Sequence, residues 1–258
     1  MEHTVFLGQQ AWQYRNESQQ KPPRQLQSAA QLNAAQLLQA AREGTATVWL
    51  GDFYQAKQLL AALKKRTAPK HKPCADPREA FHKYRLAQSQ HSRLANMLLL
   101  PVNADYRIDL PRAPNVQAAL QAVYGTASDT PFLLPLNQLL GFIGAYEWQK
   151  KGVWMNALQA NIHVPFGVFS PIRGEYVELV RQAAAQSQAR TAMDIGTGSG
   201  VLAAVLAKHS AACITATDNN PRAVACAADN IARLGLSSRV HVQMQDLFAD
   251  ESADLIVC

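Results

Sequence analysis

The residues best equipped for chemistry lie in one short stretch, 191–201, which reads Thr-Ala-Met-Asp-Ile-Gly-Thr-Gly-Ser-Gly-Val. Residues 191–195 have the character of a strand, Gly196, Gly198 and Gly200 alternate with Thr197 and Ser199, and the apolar run 201–208 reads as a helix. Glycines suit a backbone that must take positive φ and admit a ligand with no Cβ in the way, while the first amides of the new helix face the ligand's polar groups. The arrangement predicts a nucleotide-type pocket. A dinucleotide fingerprint, Gly-x-Gly-x-x-Gly, would need its third glycine at position 201, which is Val201, so a nicotinamide oxidoreductase is opposed by the spacing. Asp194 stands two residues before the first glycine, where it is expected to face the ligand, and a carboxylate there suits a cation better than a pyrophosphate.

The elements that must position this turn follow in order. Residues 212–217 form a second apolar run that ends in Asp218, and Asn219-Asn220-Pro221 opens a helix over 222–234, with proline where a first turn tolerates it. Asp218 lies 22 residues after Gly196, a workable distance for an acidic side chain that accepts both ribose hydroxyls. Capping of the following helix is the alternative role. A third strand over 239–243 leads to Asp246 and Leu247, and 254–258 reads as a fourth, ending in Cys258. The series resembles the class I S-adenosylmethionine-dependent methyltransferases, whose motif I, Asp/Glu-x-Gly-x-Gly-x-Gly, is matched at Asp194, Gly196, Gly198 and Gly200. The resemblance implies S-adenosylmethionine as cofactor, with the methionine end held at Asp194, Gly196, Thr197, Gly198 and Gly200. It implies further that Asp218 holds the ribose and Asp246 and Leu247 the adenine, with Asn219 and Cys258 also among the cofactor-binding residues.

In family members that methylate planar nitrogens, the fourth strand runs into Asn/Asp-Pro-Pro and an aromatic residue, which orient the target NH₂ and stack on its plane. The sequence stops before such a loop, so it names no catalytic residue. A full methyltransferase sheet has seven strands, and the 68 residues from Thr191 onward hold four. The expectation is a partial record of a longer N-methyltransferase, because a terminal apolar strand would otherwise be an unpaired edge.

Upstream, residues 166–176 loosely resemble the stretch before motif I in methyltransferases that modify glutamine side chains of translation proteins. Pro171, Arg173 and Glu175 are present, but the spacing departs and the threonine is missing. Arg173 or Glu175 is placed either to reach the cofactor or to cap the helix predicted over 175–186. The runs around Gly51-Asp52-Phe53, Gly144–Trp148 and 167–176 resemble bacterial small-domain-type methyltransferases.

Composition sets the frame. With 48% hydrophobic and 17% charged residues the chain can build a real core, and no apolar run nears the ~20 residues of a membrane span. The N-terminus lacks a basic and apolar export signal, and the four scattered cysteines fit reduced core positions in the cytoplasm. His71, Cys74, His82 and His91 match no defensible zinc spacing. Residues 1–150 carry 17 Lys/Arg against 10 Asp/Glu, and residues 151–258 carry 8 against 9, so all the net positive charge lies outside the cofactor region. The density is highest from Lys57 to Lys72, which suits either RNA, a ribosomal surface or plain solvation.

The first two dozen residues are glutamine-rich and read as a flexible arm. Helices are predicted over 28–42, 53–66, 78–100, 114–124 and 135–150, with a strand over 45–50 and extended residues over 105–110. Residues 152–155 and 161–169 read as a hairpin. The expected fold is α/β, a Rossmann-like doubly wound parallel sheet with its first four strands present, joined to a mostly helical N-terminal domain. The expected division is 1–150 as a basic recognition domain, 151–190 as hairpin and linking helix, and 191–258 as half of the cofactor domain. The function that follows is an N-methyltransferase acting on a nucleic-acid base or protein side-chain amide of the translation apparatus. A non-catalytic RNA- or ribosome-binding module on the same fold is the alternative. Oligomeric state is not legible.

Overall fold

The computed structural model describes residues 2–18, 20–69, 76–127, 129–171, 174–210, 212–246 and 252–258. The chain divides into two compact units, 1–143 and 144–258.

The first unit begins with a hairpin. Strand β1 (Glu2–Leu7) pairs antiparallel with β2 (Gln10–Arg15) across a turn in which Gly8 takes φ 60°. The expected flexible arm is therefore corrected: Val5 and Tyr14 alternate inward and are buried, a period of two that the polar composition conceals. Next come β3 (Gln25–Ala29), α1 (Ala34–Glu43), β4 (Thr45–Trp49), α2 (Phe53–Thr67), α3 (Pro77–Ala95) and β5 (Leu98–Val102). Then follow α4 (Gln117–Tyr124), β6 (Phe132–Pro135) and α5 (Leu136–Lys151), within which the division between the units falls. The six strands form one mixed sheet in the order β1-β2-β6-β5-β4-β3.

Helices hold more of this unit than strands, and the structure adds a six-stranded sheet that the sequence reading did not give. The helix predicted over 78–100 stops at Ala95, and Leu98–Val102 is a strand; β6 falls where the sequence reading placed no element, apart from Pro135, where it started the next helix. Leu98, Leu99, Leu100, Phe132, Leu133 and Leu134 are all fully buried. A strand covered on both faces loses the alternation that marks a strand, so its apolar run is indistinguishable from helix by period. The helix predicted from residue 28 starts instead at Ala34, because Asn33 and Gln36 form a capping box. Residues 105–110 contain no strand.

In the second unit, β7 (Val153–Met155) and β8 (Ala160–Ile162) form an antiparallel hairpin, followed by α6 (Glu175–Gln186). A regular alternation follows: β9 (Thr191–Ile195), α7 (Val201–His209), β10 (Cys213–Asp218), α8 (Pro221–Arg233), β11 (Val240–Met244) and β12 (Leu255–Val257). All four of these strands run parallel, in the order β11-β10-β9-β12. The order changes direction between β9 and β12, a topological switch point, and ligands of open α/β sheets bind at the carboxyl ends beside it. Helix α7 is apolar on nearly every side, and Val201 with residues 203–207 is buried in the unit's core, as a helix without a polar face must be.

Candidate functional site

Parallel register brings the predicted residues to one end of the second sheet. Asp194 pairs with Ala216 on one side and Val257 on the other, and Asp218 pairs with Met244. The glycine turn, Asp218, Asn219, Asp246 and Cys258 therefore all leave the carboxyl ends of adjacent strands. Asn219, Asp246 and Cys258 are exposed there. Leu247 and Arg173 lie outside the described residues. Glu175 is exposed in the first turn of α6.

The turn itself is built from positive φ and backbone bonds. The Gly196 and Thr197 amides both donate to the Thr217 carbonyl at 2.8 Å, which ties the turn to the end of β10. A Cβ at Gly196 would meet nothing within 4 Å, and one at Gly198 only the Gly196 carbonyl at 3.9 Å. Their upper side is thus an open cradle. Gly200 is required for the opposite reason: its φ is 80°, and a Cβ would stand 3.0 Å from Ala227 Cα in α8. Only glycine lets the turn and α8 approach so closely.

Asp194 does not face outward as expected from the sequence. It is 1% exposed, and its Oδ2 accepts the Thr197 hydroxyl at 2.7 Å and the Ala203 amide at 2.9 Å. The carboxylate holds the turn from beneath and takes one of the α7 amides that the sequence reading left for a ligand. Burial pushes its pKa up to about 6, against the lowering effect of those two hydrogen bonds and with a further rise from Asp218.

Asp218 is half-buried at the rim of the cradle. Its Oδ2 accepts the Gly198 amide at 3.0 Å and its Oδ1 the Asn220 amide at 2.9 Å. Each carboxylate oxygen retains a further lone pair, so the side chain can orient the turn and still accept two hydroxyl donors from a ligand. Helix α8 is capped separately, by Asn220 to the Arg222 amide, which leaves the capping alternative for Asp218 without a role in that helix's side-chain cap.

Two contributors escaped the sequence reading. Asn230, 1% exposed in α8, accepts the His163 amide at 2.8 Å and donates to the carbonyls of His163 at 3.1 Å and Ser199 at 3.0 Å. It fixes the glycine turn to the segment after β8. Tyr176, at the start of α6, has its phenol pKa raised by burial first and by the Asp194 charge second, which marks it as a neighbour of the site. The only local signal for Asn230 is a polar residue on the otherwise apolar face of α8. A cavity of about 320 Å³ in the same unit lies at the amino ends of the strands, lined by Thr191, Cys213 and residues 237–241 among others. It contains none of the predicted residues.

Among the described residues no cluster of metal-ligating side chains occurs, and no helix is long and apolar enough to cross a membrane. His71 and Cys74 lie outside the described residues.

Residues 177–258 match the family model described as ribosomal protein L11 methyltransferase (PrmA). The chain is 43% identical over 88 residues to a release factor glutamine methyltransferase of Cereibacter sphaeroides, covering 33% of this chain and 31% of that protein. It is 42% identical over 84 residues to a ribosomal protein L11 methyltransferase of Shouchella clausii, covering 31% and 26%. The chain thus spans under a third of the length of these curated relatives. Among solved structures it is similar to ribosomal protein L11 methylase from Lactobacillus delbrueckii subsp. bulgaricus, with 28% identity, a TM-score of 0.31, and 38% of this chain and 52% of that one covered. Taken with the glycine cradle and the β11-β10-β9-β12 sheet, the family-model match makes residues 177–258 similar to the class I S-adenosylmethionine-dependent methyltransferases.

Proposed function

We propose that the chain binds S-adenosylmethionine at the carboxyl ends of β9, β10 and β11 and serves methyl transfer to a nitrogen of the translation apparatus, a nucleic-acid base or a protein side-chain amide. The observation that carries the reading is the meeting of an open glycine cradle with the half-buried Asp218 carboxylate across adjacent strands. The cofactor supplies a methyl group already activated by its sulfonium charge, so the protein's work is to bind, orient and exclude water. In this reading Gly196, Thr197 and Gly198 carry the methionine end, with Asp194 and Gly200 shaping the turn. Asp218 and Asn219 accept the ribose hydroxyls, Asp246 and Leu247 border the adenine, and Cys258 leaves the strand beside them. Relatives named for ribosomal protein L11 and for release factor glutamine support a translation-linked acceptor, and a cytoplasmic location is the reading that accompanies action on that machinery.

Calorimetric titration with S-adenosylhomocysteine tests the binding half. Asp218→Ala is expected to weaken affinity by about 1–3 kcal/mol, roughly 5- to 150-fold, through loss of a charged acceptor; unchanged affinity removes Asp218 from the ribose role. Incubation with tritium-methyl cofactor and, separately, ribosomal subunits, release factors and ribosomal RNA tests the transfer half. Label on none of the three would overturn it.

A further inference from the structure

A concavity of about 470 Å³ in the first unit gathers four cations from three separate elements. Lys21 and Arg24 come from the segment before β3, Arg42 from the last turn of α1, and Arg93 from the last turn of α3. All four are exposed, and no ion pair to a carboxylate is described for any of them. The wall contains one acidic side chain, Glu43, which accepts a hydrogen bond from Gln39 at 3.2 Å. The stem of Arg24 passes close to Gly44, its Cδ 3.7 Å from where a Cβ there would stand.

A conventional account covers only half of this charge. Arg42 and Arg93 complement the partial negative charge of two helix ends, worth about half a charge each. Part of that is already met, because the Gly44 amide bonds the Ala40 and Ala41 carbonyls and the Asn96 amide those of Ser92 and Leu94. Lys21 and Arg24 belong to no helix, so the concavity retains surplus positive charge after Glu43 and both helix ends are counted. The surplus also continues outward. Thr67 Oγ1 lies 2.9 Å from His91 Nδ1, which sets the last turn of α2, with Lys64, Lys65 and Arg66, against the same end of α3.

We propose that this cradle and the α2 end form a track for the phosphate backbone of single-stranded or looped RNA. Several cations on one surface suit the repeated charges of a nucleic-acid strand, and arginine forks fit phosphate oxygens in pairs. Pro22, Pro23 and Met97 in the wall give apolar surface for a sugar or base. The site lies wholly in the first unit and is independent of cofactor binding, so it stands or falls separately from the methyl-transfer reading.

The test is fluorescence anisotropy with a labelled RNA hairpin, without cofactor, over a salt series. The triple variant Arg24→Gln/Arg42→Gln/Arg93→Gln is expected to bind roughly 30-fold more weakly, with the slope of log affinity against log salt shallower by about 2. Glu43→Gln is expected to bind a few-fold more tightly, an increase that misfolding cannot produce. An unchanged salt slope in the triple variant overturns the proposal. So does wild-type protein that binds polyglutamate or pyrophosphate in preference to the RNA, which would make the cradle a site for acidic protein or small anions.

Discussion

Asp194 sits where its own charge is unwelcome, and its titration is the residue-scale consequence. With a folded pKa of about 6 against about 3.9 in the unfolded chain, the folded protein holds a proton between those values that the unfolded chain has released. The stability from the protonated form is complete below about pH 4 and is lost as pH rises through 6, by about 2–3 kcal/mol in all. At neutral pH the carboxylate is therefore ionised at a cost to stability, while its hydrogen bonds hold Thr197 and Ala203 in place. Asp194→Asn is expected to flatten urea-derived stability between pH 4 and 7 and to raise it at pH 7, while weakening cofactor affinity. A variant with the same pH profile as wild type would show that burial does not raise this pKa. Asn230 makes the complementary case. Asn230→Ala strands the His163 amide and the Ser199 carbonyl in a buried setting, which should cost about 2–3 kcal/mol. Hydrogen exchange at residues 198–200 should quicken more than at β9; equal quickening would mean that Asn230 supports the core without holding the turn.

At the scale of elements, legibility followed the range of the interactions. The turn at 194–201 could be read because its demands are local: positive φ needs glycine, and the change from strand to helix is written in adjacent residues. The helix start at Pro221 was equally plain, since proline acts within one turn, whereas the helix predicted from Arg78 begins one residue earlier, at Pro77 behind the Asp76 cap. The strands Leu98–Val102 and Phe132–Pro135 were not, because burial on both faces erases their alternation, and their pairing reaches across β2 and β4. Asn230 was invisible because its partners, His163 and Ser199, are distant in sequence, and the inward turn of Asp194 because the local sequence does not say that Thr197 and Ala203, rather than a ligand, take its carboxylate. Arg239 is a further long-range tie of this kind. Its guanidinium donates to the carbonyls of Ser210 at 2.9 Å and Ala212 at 2.6 Å and also reaches Ala207, so it closes the C-terminal end of α7 from the start of β11. Arg239→Ala is expected to lower stability by about 1.5–3 kcal/mol in urea titrations, the range for hydrogen bonds to a charged donor. Arg239→Lys, with one compact ammonium in place of a planar fork, should recover less than half. Full recovery by lysine would reduce the contact to charge alone.

On the scale of the whole molecule, each unit has its own buried cluster. One gathers Val5, Tyr14, Val48, Leu99 and Leu133, the other Ile162, Ala192, Val205, Ile214 and Ile231. The cofactor residues proposed here belong entirely to the second unit and the basic cradle entirely to the first. A ligand stabilises only the structure that binds it, by RT ln(1 + [L]/Kd), or about 2.7 kcal/mol at a hundredfold excess over Kd. For a unit of this size that corresponds to a rise of roughly 10 °C in its midpoint. Differential scanning calorimetry is therefore expected to resolve two transitions, with S-adenosylhomocysteine lifting one and RNA lifting the other. Because the division falls inside the continuous helix α5, the experiment also measures whether that helix links the two cores. If both ligands lift a single transition together, the cores unfold as one and the assignment of two independent units is overturned, while both binding sites stand; if neither ligand moves any transition, both sites fall.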